Sequence, residues 1–238
     1  IRGGTQMKKY IQSLRLFFGR VPLRQMLIFL AVVAFFVVLF AGLDLITSNG
    51  DFINGMFEGI SAMIGPVAAM MGIMQLIAVY NSCSREVPGY KYFRSVPDSG
   101  VQLSRGIIAA NALSIISGIA MLALTFVMLR MVNADVSGII LGALLLPVAT
   151  GICNFTGFLK RSSIKMLVLI GILSVTGFAA GFCVGASEDG EPTIMEMFMQ
   201  NCLPFVGILA AGLVIFAAGL IFAVNYAKKK WGVDECAE

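Results

Sequence analysis

Six long apolar runs dominate this sequence and decide what it can fold into. Each is long enough for an α-helix to cross the hydrocarbon core of a bilayer, which takes about 20 residues. The runs cover approximately 26–47, 56–80, 104–130, 137–159, 164–186 and 203–226. With 58% apolar and only 13% charged residues, the chain has more apolar surface than one soluble core can bury. We therefore predict an all-α integral membrane protein with six transmembrane helices.

The basic residues predict the orientation of these spans. Sixteen of the 17 Lys and Arg residues fall before the first span, between spans two and three, between spans four and five, or after span six. Only Arg130 falls on the other side. Because cytoplasmic loops carry the excess of basic residues, we predict that both termini are cytoplasmic and that the protein lies in the cell membrane. The net charge of +4 reflects this distribution, so it gives no argument for a nucleic-acid partner.

The segment before the first span has the pattern of a helix that lies on the membrane surface. Its basic, amphipathic character is typical of helices in the inner headgroup layer of the bilayer. Apolar side chains recur at helical spacing at Met7, Tyr10, Ile11, Leu14, Phe17, Phe18 and Val21, and the other face carries Lys8, Lys9, Gln12, Ser13, Arg15 and Arg20. We expect a tail or cloning remnant at 1–6, the amphipathic interfacial helix at 7–25, the transmembrane domain at 26–226 and a cytoplasmic tail at 227–238.

The loop between spans two and three is longer and more polar than a helix hairpin requires. Asp98 or Ser99 is a residue type that caps helix N-termini, so we predict a short cytoplasmic helix that begins there. Aromatic and basic residues flank it, from Tyr90 to Arg94 on one side and at Arg105 on the other. A short helix projecting between two spans in this way is suited to docking a cytoplasmic partner.

The residue types of the chain exclude several classes of enzyme and carrier. There is no histidine, which removes Ser-His-Asp and Cys-His catalysis and histidine metal sites. The polar residues expected at membrane depth are Gln75, Asn111 and Asn154, without a carboxylate or an amine near any span centre. Ion-coupled carriers need an ionisable group at that depth. We therefore expect neither an enzyme nor an ion-coupled carrier.

Glycines, prolines and cysteines in the spans each allow two interpretations. Gly177, Gly181 and Gly185, with a weaker pair at Gly207 and Ala211, make a small-residue face that packs against another protomer or, as we favour, within the chain, span five on span six. Pro66 and Pro147 are candidate hinges, or simply prolines of the kind common in membrane helices. The five cysteines have no metal-binding spacing. Cys183 and Cys202 either pair or, as we favour, remain free thiols.

One motif in the loop between spans two and three carries a resemblance to a known family. It reads Phe93-Arg94-Ser95-Val96-Pro97, followed by Val101-Gln102-Leu103 and Arg105 at the entry to span three. Together with the predicted topology, it resembles the permease subunits of ABC type-2 transporters. Those chains have six spans, both ends inside, an amphipathic helix before the first span and a coupling helix between spans two and three. Where the family often has a basic residue soon after the proline, this chain has Asp98-Ser99-Gly100.

The resemblance implies the membrane half of an exporter for an amphipathic or apolar cargo, such as a peptide, lipid or drug. ATP and Mg would bind a separate cytoplasmic ABC ATPase subunit, because this chain has no G-x-x-x-x-G-K-[ST] phosphate loop with which to bind ATP itself. The resemblance therefore implies no cofactor in this chain. A second permease chain, identical or different, would complete the complex. The ATPase-coupling surface would comprise Arg94, Ser95, Pro97, Asp98, Gln102, Arg105, Lys160 and Arg161. Two alternatives remain: a six-span substrate-capture subunit and a non-transporting membrane immunity or assembly protein.

Overall fold

The computed structural model describes four helices and several shorter helical stretches. The helices are α1 (Ser99–Met131), α2 (Ser137–Thr156), α3 (Ile194–Gln200) and α4 (Leu203–Lys229). Within the described residues every regular element is helical. These residues are 9, 12–13, 27–28, 31, 34–35, 38, 65–70, 73, 76–77, 79–81, 98–131, 136–159, 167–168, 170–172, 174 and 194–229.

Three of the helices are long and apolar enough to cross a membrane. They lie at Ser99–Val127, Ser137–Thr156 and Leu203–Lys229. The spans predicted at 104–130, 137–159 and 203–226 are therefore confirmed as helices of that kind. Of the other three predicted spans the structure describes only some residues, and those residues are helical.

The contacts between helix ends define how the three long helices run. Gly100, at the start of α1, approaches the end of α4 so closely that an added Cβ would lie 2.6 Å from the carbonyl oxygen of Ala227. The rings of Phe158, just after α2, and Tyr226 of α4 are 4.4 Å apart. Hence α2 and α4 run parallel to each other and antiparallel to α1. We call the end with Arg105, Lys228 and Lys229 the basic end, and the end with Arg130 and Leu203 the far end.

The start of α1 differs from the short separate helix that the sequence predicts. Asp98 adopts a left-handed backbone conformation (φ 57°), which Asp tolerates better than most residues. Its carbonyl oxygen accepts hydrogen bonds of 2.9 Å from the N–H groups of Val101 and Gln102, and the helix then continues without a break to Met131. The physical reason is that Leu103, Ile107 and Ala110 lie on one face of the helix and are all fully buried. Their packing stabilises a helix that is continuous with the span.

Glycine sets the distance between α2 and α4. An added Cβ on Gly151 would lie 2.8 Å from the backbone of Ile215, and one on Gly212 would lie 3.2 Å from the ring of Pro147. The buried residues of α4 are all small: Gly212, Gly219, Ala223 and Ala227. Without large side chains between them, the two backbones approach closely enough for extensive van der Waals contact, which is the main attraction between helices in lipid.

The small-residue pair predicted on the sixth span is wrong as an intrachain contact. Gly207 and Ala211 are both exposed, and a Cβ on Gly207 would meet nothing within 4 Å. They lie on the broad apolar surface of α4, where Leu203 and Val214 are also highly exposed. The packing face is rotated away from them, because the small residues that meet α2 are Gly212 and Gly219.

Three described residues fall within the predicted N-terminal interfacial helix. Lys9, Gln12 and Ser13 are helical, and the hydroxyl of Ser13 donates a 2.9 Å hydrogen bond to the carbonyl oxygen of Lys9. Lys9 and Gln12 are exposed, as expected for a polar face. Ser13 was expected beside them but is buried, since a small hydroxyl bonded to its own backbone can leave water at little cost. The rest of that helix lies outside the described residues.

Candidate functional site

A cluster of buried polar side chains joins α1 to α2 near the basic end. The side-chain amide of Asn154 donates a 2.8 Å hydrogen bond to Oδ1 of Asn111, and that of Asn111 donates a 3.0 Å bond to Oδ1 of Asn154. Asn111 also donates a 2.9 Å bond to the carbonyl oxygen of Ile107, one turn back on α1. Both asparagines are almost completely buried, at 1% and 0% exposure. The pair therefore links the two helices by reciprocal bonds away from water.

Tyr80 adds a third chain segment to this pair. Its hydroxyl donates a 2.7 Å hydrogen bond to Oδ1 of Asn154, and the residue is 2% exposed. Tyr80 belongs to the helical residues at 79–81, which precede α1 in the chain. The single oxygen of Asn154 thus accepts bonds from two different helical segments. We call Tyr80, Asn111 and Asn154 the polar clasp.

The side chains of the polar clasp are suited to holding helices together rather than to reacting with a substrate. Its three side chains are neutral amides and a phenol, and their main donors and acceptors are used on one another. A side-chain hydrogen bond between membrane helices contributes about 0.6 kcal/mol on average and up to about 1.7. A partner removed from such a cluster leaves a buried polar group unpaired, at a cost of about 1–3 kcal/mol. Replacing one member of the clasp should therefore reduce the free energy of unfolding more than replacing two bonded members together.

A series of aromatic contacts connects the clasp to α4 near the basic end. Phe158 packs edge-on against Tyr80, with ring centroids 5.4 Å apart, and stacks on Tyr226 of α4. Phe222 and Phe155 extend this contact, 5.5 Å apart. Gly157 makes room for it, because an added Cβ there would collide with the ring of Tyr80. These rings connect the clasp to α4, which contributes no side chain to the clasp itself.

Three residues of the predicted ATPase-coupling surface lie within the described part of the chain. Asp98 is exposed in the turn before α1, and Gln102 and Arg105 are half-buried on its first two turns. All three are at the basic end, where the exposed Lys228 and Lys229 end α4. The remaining predicted coupling residues lie outside the described residues: Arg94, Ser95, Pro97, Lys160 and Arg161.

The candidate hinges Pro66 and Pro147 are both buried and helical. Helix α2 continues through Pro147 without a break, although proline has no N–H to donate to the carbonyl oxygen of Ala143. Gly65, next to Pro66, packs against the backbone of Gly138 at the start of α2. The predicted helix-packing residues Gly177, Gly181 and Gly185 lie outside the described residues.

Asn111 and Asn154 were predicted to be polar residues at membrane depth, but their hydrogen bonds to each other were not predicted. Tyr80 was missed, since a tyrosine at the end of a span is ordinarily an interfacial anchor. The signal that was available is the spacing: antiparallel α1 and α2 bring residues 111 and 154 to one level. Arg130 is exposed in the last turn of α1, and its guanidinium lies 5.8 Å from the ring centre of Phe126.

The cysteines that the structure describes are free thiols. Cys202 is exposed and unpaired, and Cys153 is buried in α2; Cys183 lies outside the described residues. Within the described ranges no group of His, Cys, Asp and Glu residues is arranged to hold a metal ion.

No protein-family model, curated protein or solved structure matches this chain.

Proposed function

We propose that this protein is the membrane-spanning permease subunit of an ABC exporter, powered by a separate cytoplasmic ATPase subunit. The proposal is supported by the length and continuity of α1. Asp98 of the predicted coupling surface lies in the turn before it, Gln102 and Arg105 lie on its first two turns, and the same unbroken helix continues to Met131. At about 1.5 Å per residue, its 33 residues extend about 50 Å, which exceeds the 30 Å hydrocarbon core. A partner that displaces the first turns of α1 would therefore move a continuous helix that is long enough to cross the membrane.

Two contacts of α1 would transmit that displacement to the neighbouring helices. Gly100 contacts Ala227 at the end of α4, so movement of the first turn of α1 acts directly on the last turn of α4. Asn111 bonds Asn154, so the same movement acts on α2. The expected result of ATP-driven closure of the partner is a tilt of these spans that opens a path for an amphipathic or apolar cargo between two permease chains.

The directions of the helices support the six-span topology that this function requires. Because α2 and α4 run parallel, the end of α2 at Thr156 and the start of α4 at Leu203 lie at opposite ends of the bundle. A single further crossing between them satisfies that geometry and agrees with the span predicted at 164–186. The exposed Lys228 and Lys229 at the basic end favour a cytoplasmic location for that end, in keeping with both termini inside the cell.

Gentle purification of the tagged full-length chain from its native cells tests this proposal. We expect an ATPase subunit with a phosphate-binding loop to co-purify in a fixed ratio, and the complex to hydrolyse ATP. Recovery of the chain with bound ligand and without an ATPase would contradict the proposal and favour a substrate-capture subunit. Recovery with a peptide or protein partner that stimulates no ATPase would favour an immunity or assembly protein.

A further inference from the structure

The polar clasp lies between the predicted coupling surface and the middle of the bundle. Asn111 is 12 residues after Ser99 on α1, or about 18 Å along the helix. Asn154 is two residues before the end of α2 at Thr156. The hydrogen bonds of the clasp are therefore concentrated in the basic-end part of both helices, where the first turns of α1 would receive force from a partner.

Beyond the clasp, the described residues of α2 contact the side chain of Leu122 on α1 and the helical residues at 65–70 without interhelical side-chain hydrogen bonds of this kind. Towards the far end, Gly142 meets the carbonyl oxygen of Gly65 backbone to backbone, and Gly65 meets Gly138 in the same way. The buried hydroxyl of Thr125 donates to the carbonyl oxygen of Met121 on its own helix, so it does not tie α1 to a neighbour. Glycine contacts limit how closely two helices approach, but they do not fix one side chain to one partner.

Pro147 stands at the boundary between these two kinds of contact. It is seven residues, or about 10 Å, before Asn154 along α2. The missing N–H of a proline leaves the carbonyl oxygen of Ala143 without its helical partner, which makes bending easier there. Thr150, one turn later, donates its hydroxyl to the carbonyl oxygen of Leu146, a local bond that also accompanies helix bending.

We propose that the polar clasp holds the basic-end parts of α1, α2 and the segment at 79–81 as one rigid unit, so that relative helix movement takes place on the far-end side of Pro147. Tyr80, Asn111 and Asn154 are then positioning residues, since they act by fixing the register of three helical segments. Their role in transport rests on the proposed function. The rigid unit itself is a property of this chain alone and is tested without a partner.

Distances between pairs of spin labels on the full-length chain in lipid nanodiscs test this proposal. The five native cysteines are first replaced by alanine or serine. One labelled pair, at Val101 and Leu159, reports on the basic end, and a second pair, at Val127 and Ala143, reports on the far end. All four positions are exposed. We expect the distance distribution of the basic-end pair to be clearly narrower than that of the far-end pair.

Replacing both asparagines tests the clasp directly. In the Asn111→Leu, Asn154→Leu double variant, which leaves neither amide unpaired, we expect the basic-end distribution to broaden about twofold and the far-end distribution to stay unchanged. Tyr80→Phe keeps the ring and removes one hydrogen bond, so it provides a milder variant with a smaller broadening at the same pair. Thr125→Val is the matched control: it removes a buried hydroxyl bonded within one helix, and we expect neither distribution to change.

Three results would overturn the rigid unit. The first is a wild-type basic-end distribution as broad as the far-end one, and the second is an unchanged basic-end distribution in both clasp variants. The third is equal broadening at both ends, which would mean general loosening of the bundle. Because no ATPase is needed for any of these measurements, failure of the clasp and failure of the permease proposal are separate outcomes.

Discussion

Within the described residues, both ends of this bundle have close glycine contacts, but the basic end also has hydrogen bonds between helices. At the basic end, Asn154 accepts bonds from Asn111 and Tyr80, and the rings of Phe158 and Tyr226 stack beside them. At the far end, Gly65 packs on the backbone of α2. Directional bonds fix which residues face each other, whereas glycine contacts fix only how near the helices come. One membrane bundle can therefore combine a region of fixed register with a region of close but less specific packing.

The largest effect is expected where a glycine keeps two backbones together. In Gly219→Leu the new side chain would meet the carbonyl oxygen of Gly151 and the Cβ of Asn154, which lies 3.1 Å from an ideal Cβ. We expect a loss of about 3 kcal/mol or more in the free energy of unfolding, because overpacking at a backbone contact forces α4 away from α2. Titration with a denaturing detergent, followed by circular dichroism, measures this loss.

Gly207→Leu provides the matched control on the same helix. A Cβ at Gly207 meets nothing within 4 Å, so we expect a change of less than about 1 kcal/mol, or a small gain from the better helix propensity of leucine. Similar losses for the two variants would show that the α2–α4 contact at Gly219 does not hold the helices together.

The next effect concerns the asparagine pair. Asn154→Leu removes the acceptor of the Tyr80 hydroxyl and both bonds to Asn111, whose amide keeps its bond to the carbonyl oxygen of Ile107. We expect this loss to cost about 1–3 kcal/mol. The Asn111→Leu, Asn154→Leu double variant removes both members and should lose much less than the sum of the two single variants. A double-mutant cycle on detergent unfolding measures this coupling. Additive losses would contradict the reciprocal bonds.

Within the polar clasp, the smallest stability effect is expected at Tyr80. In Tyr80→Phe the amide of Asn111 still bonds Asn154, so only one interhelical hydrogen bond is lost, at a cost of about 0.6–1.7 kcal/mol. Thr125→Val, whose hydroxyl bonds within its own helix, should cost less. The same unfolding assay compares them, and a larger loss for Thr125→Val would argue against a special role for the basic end.

The hydropathy of the sequence predicted the three long helices because their apolar surplus can only be placed in lipid. It also indicated Asn111 and Asn154, since polar groups at membrane depth are rare. Their pairing was missed, because the residues are 43 positions apart and come to one level only when the two helices are aligned in their antiparallel register.

The packing face of α4 was the main error. This helix is rich in glycine and alanine on several sides, so spacing alone suggested Gly207 and Ala211, while the shape of α2 around Pro147 and Gly151 selects Gly212 and Gly219. The short separate helix predicted to begin at Asp98 or Ser99 is instead the first part of α1, for a related reason. Capping residues at Asp98 and Ser99 show where a helix begins, but burial of Leu103 and Ile107 decides how far it continues.

The most direct test of the central claim, that a partner ATPase acts on the basic end, compares two arginines at opposite ends of α1. Arg105 is half-buried in the predicted coupling surface, and Arg130 is exposed at the far end. We predict that Arg105→Glu weakens ATPase binding by about tenfold, through charge reversal at the interface, and lowers the ATP hydrolysis of the purified complex to match. Arg130→Glu should leave both unchanged. Full binding and full ATP hydrolysis in Arg105→Glu, or equal losses in the two variants, would contradict the account.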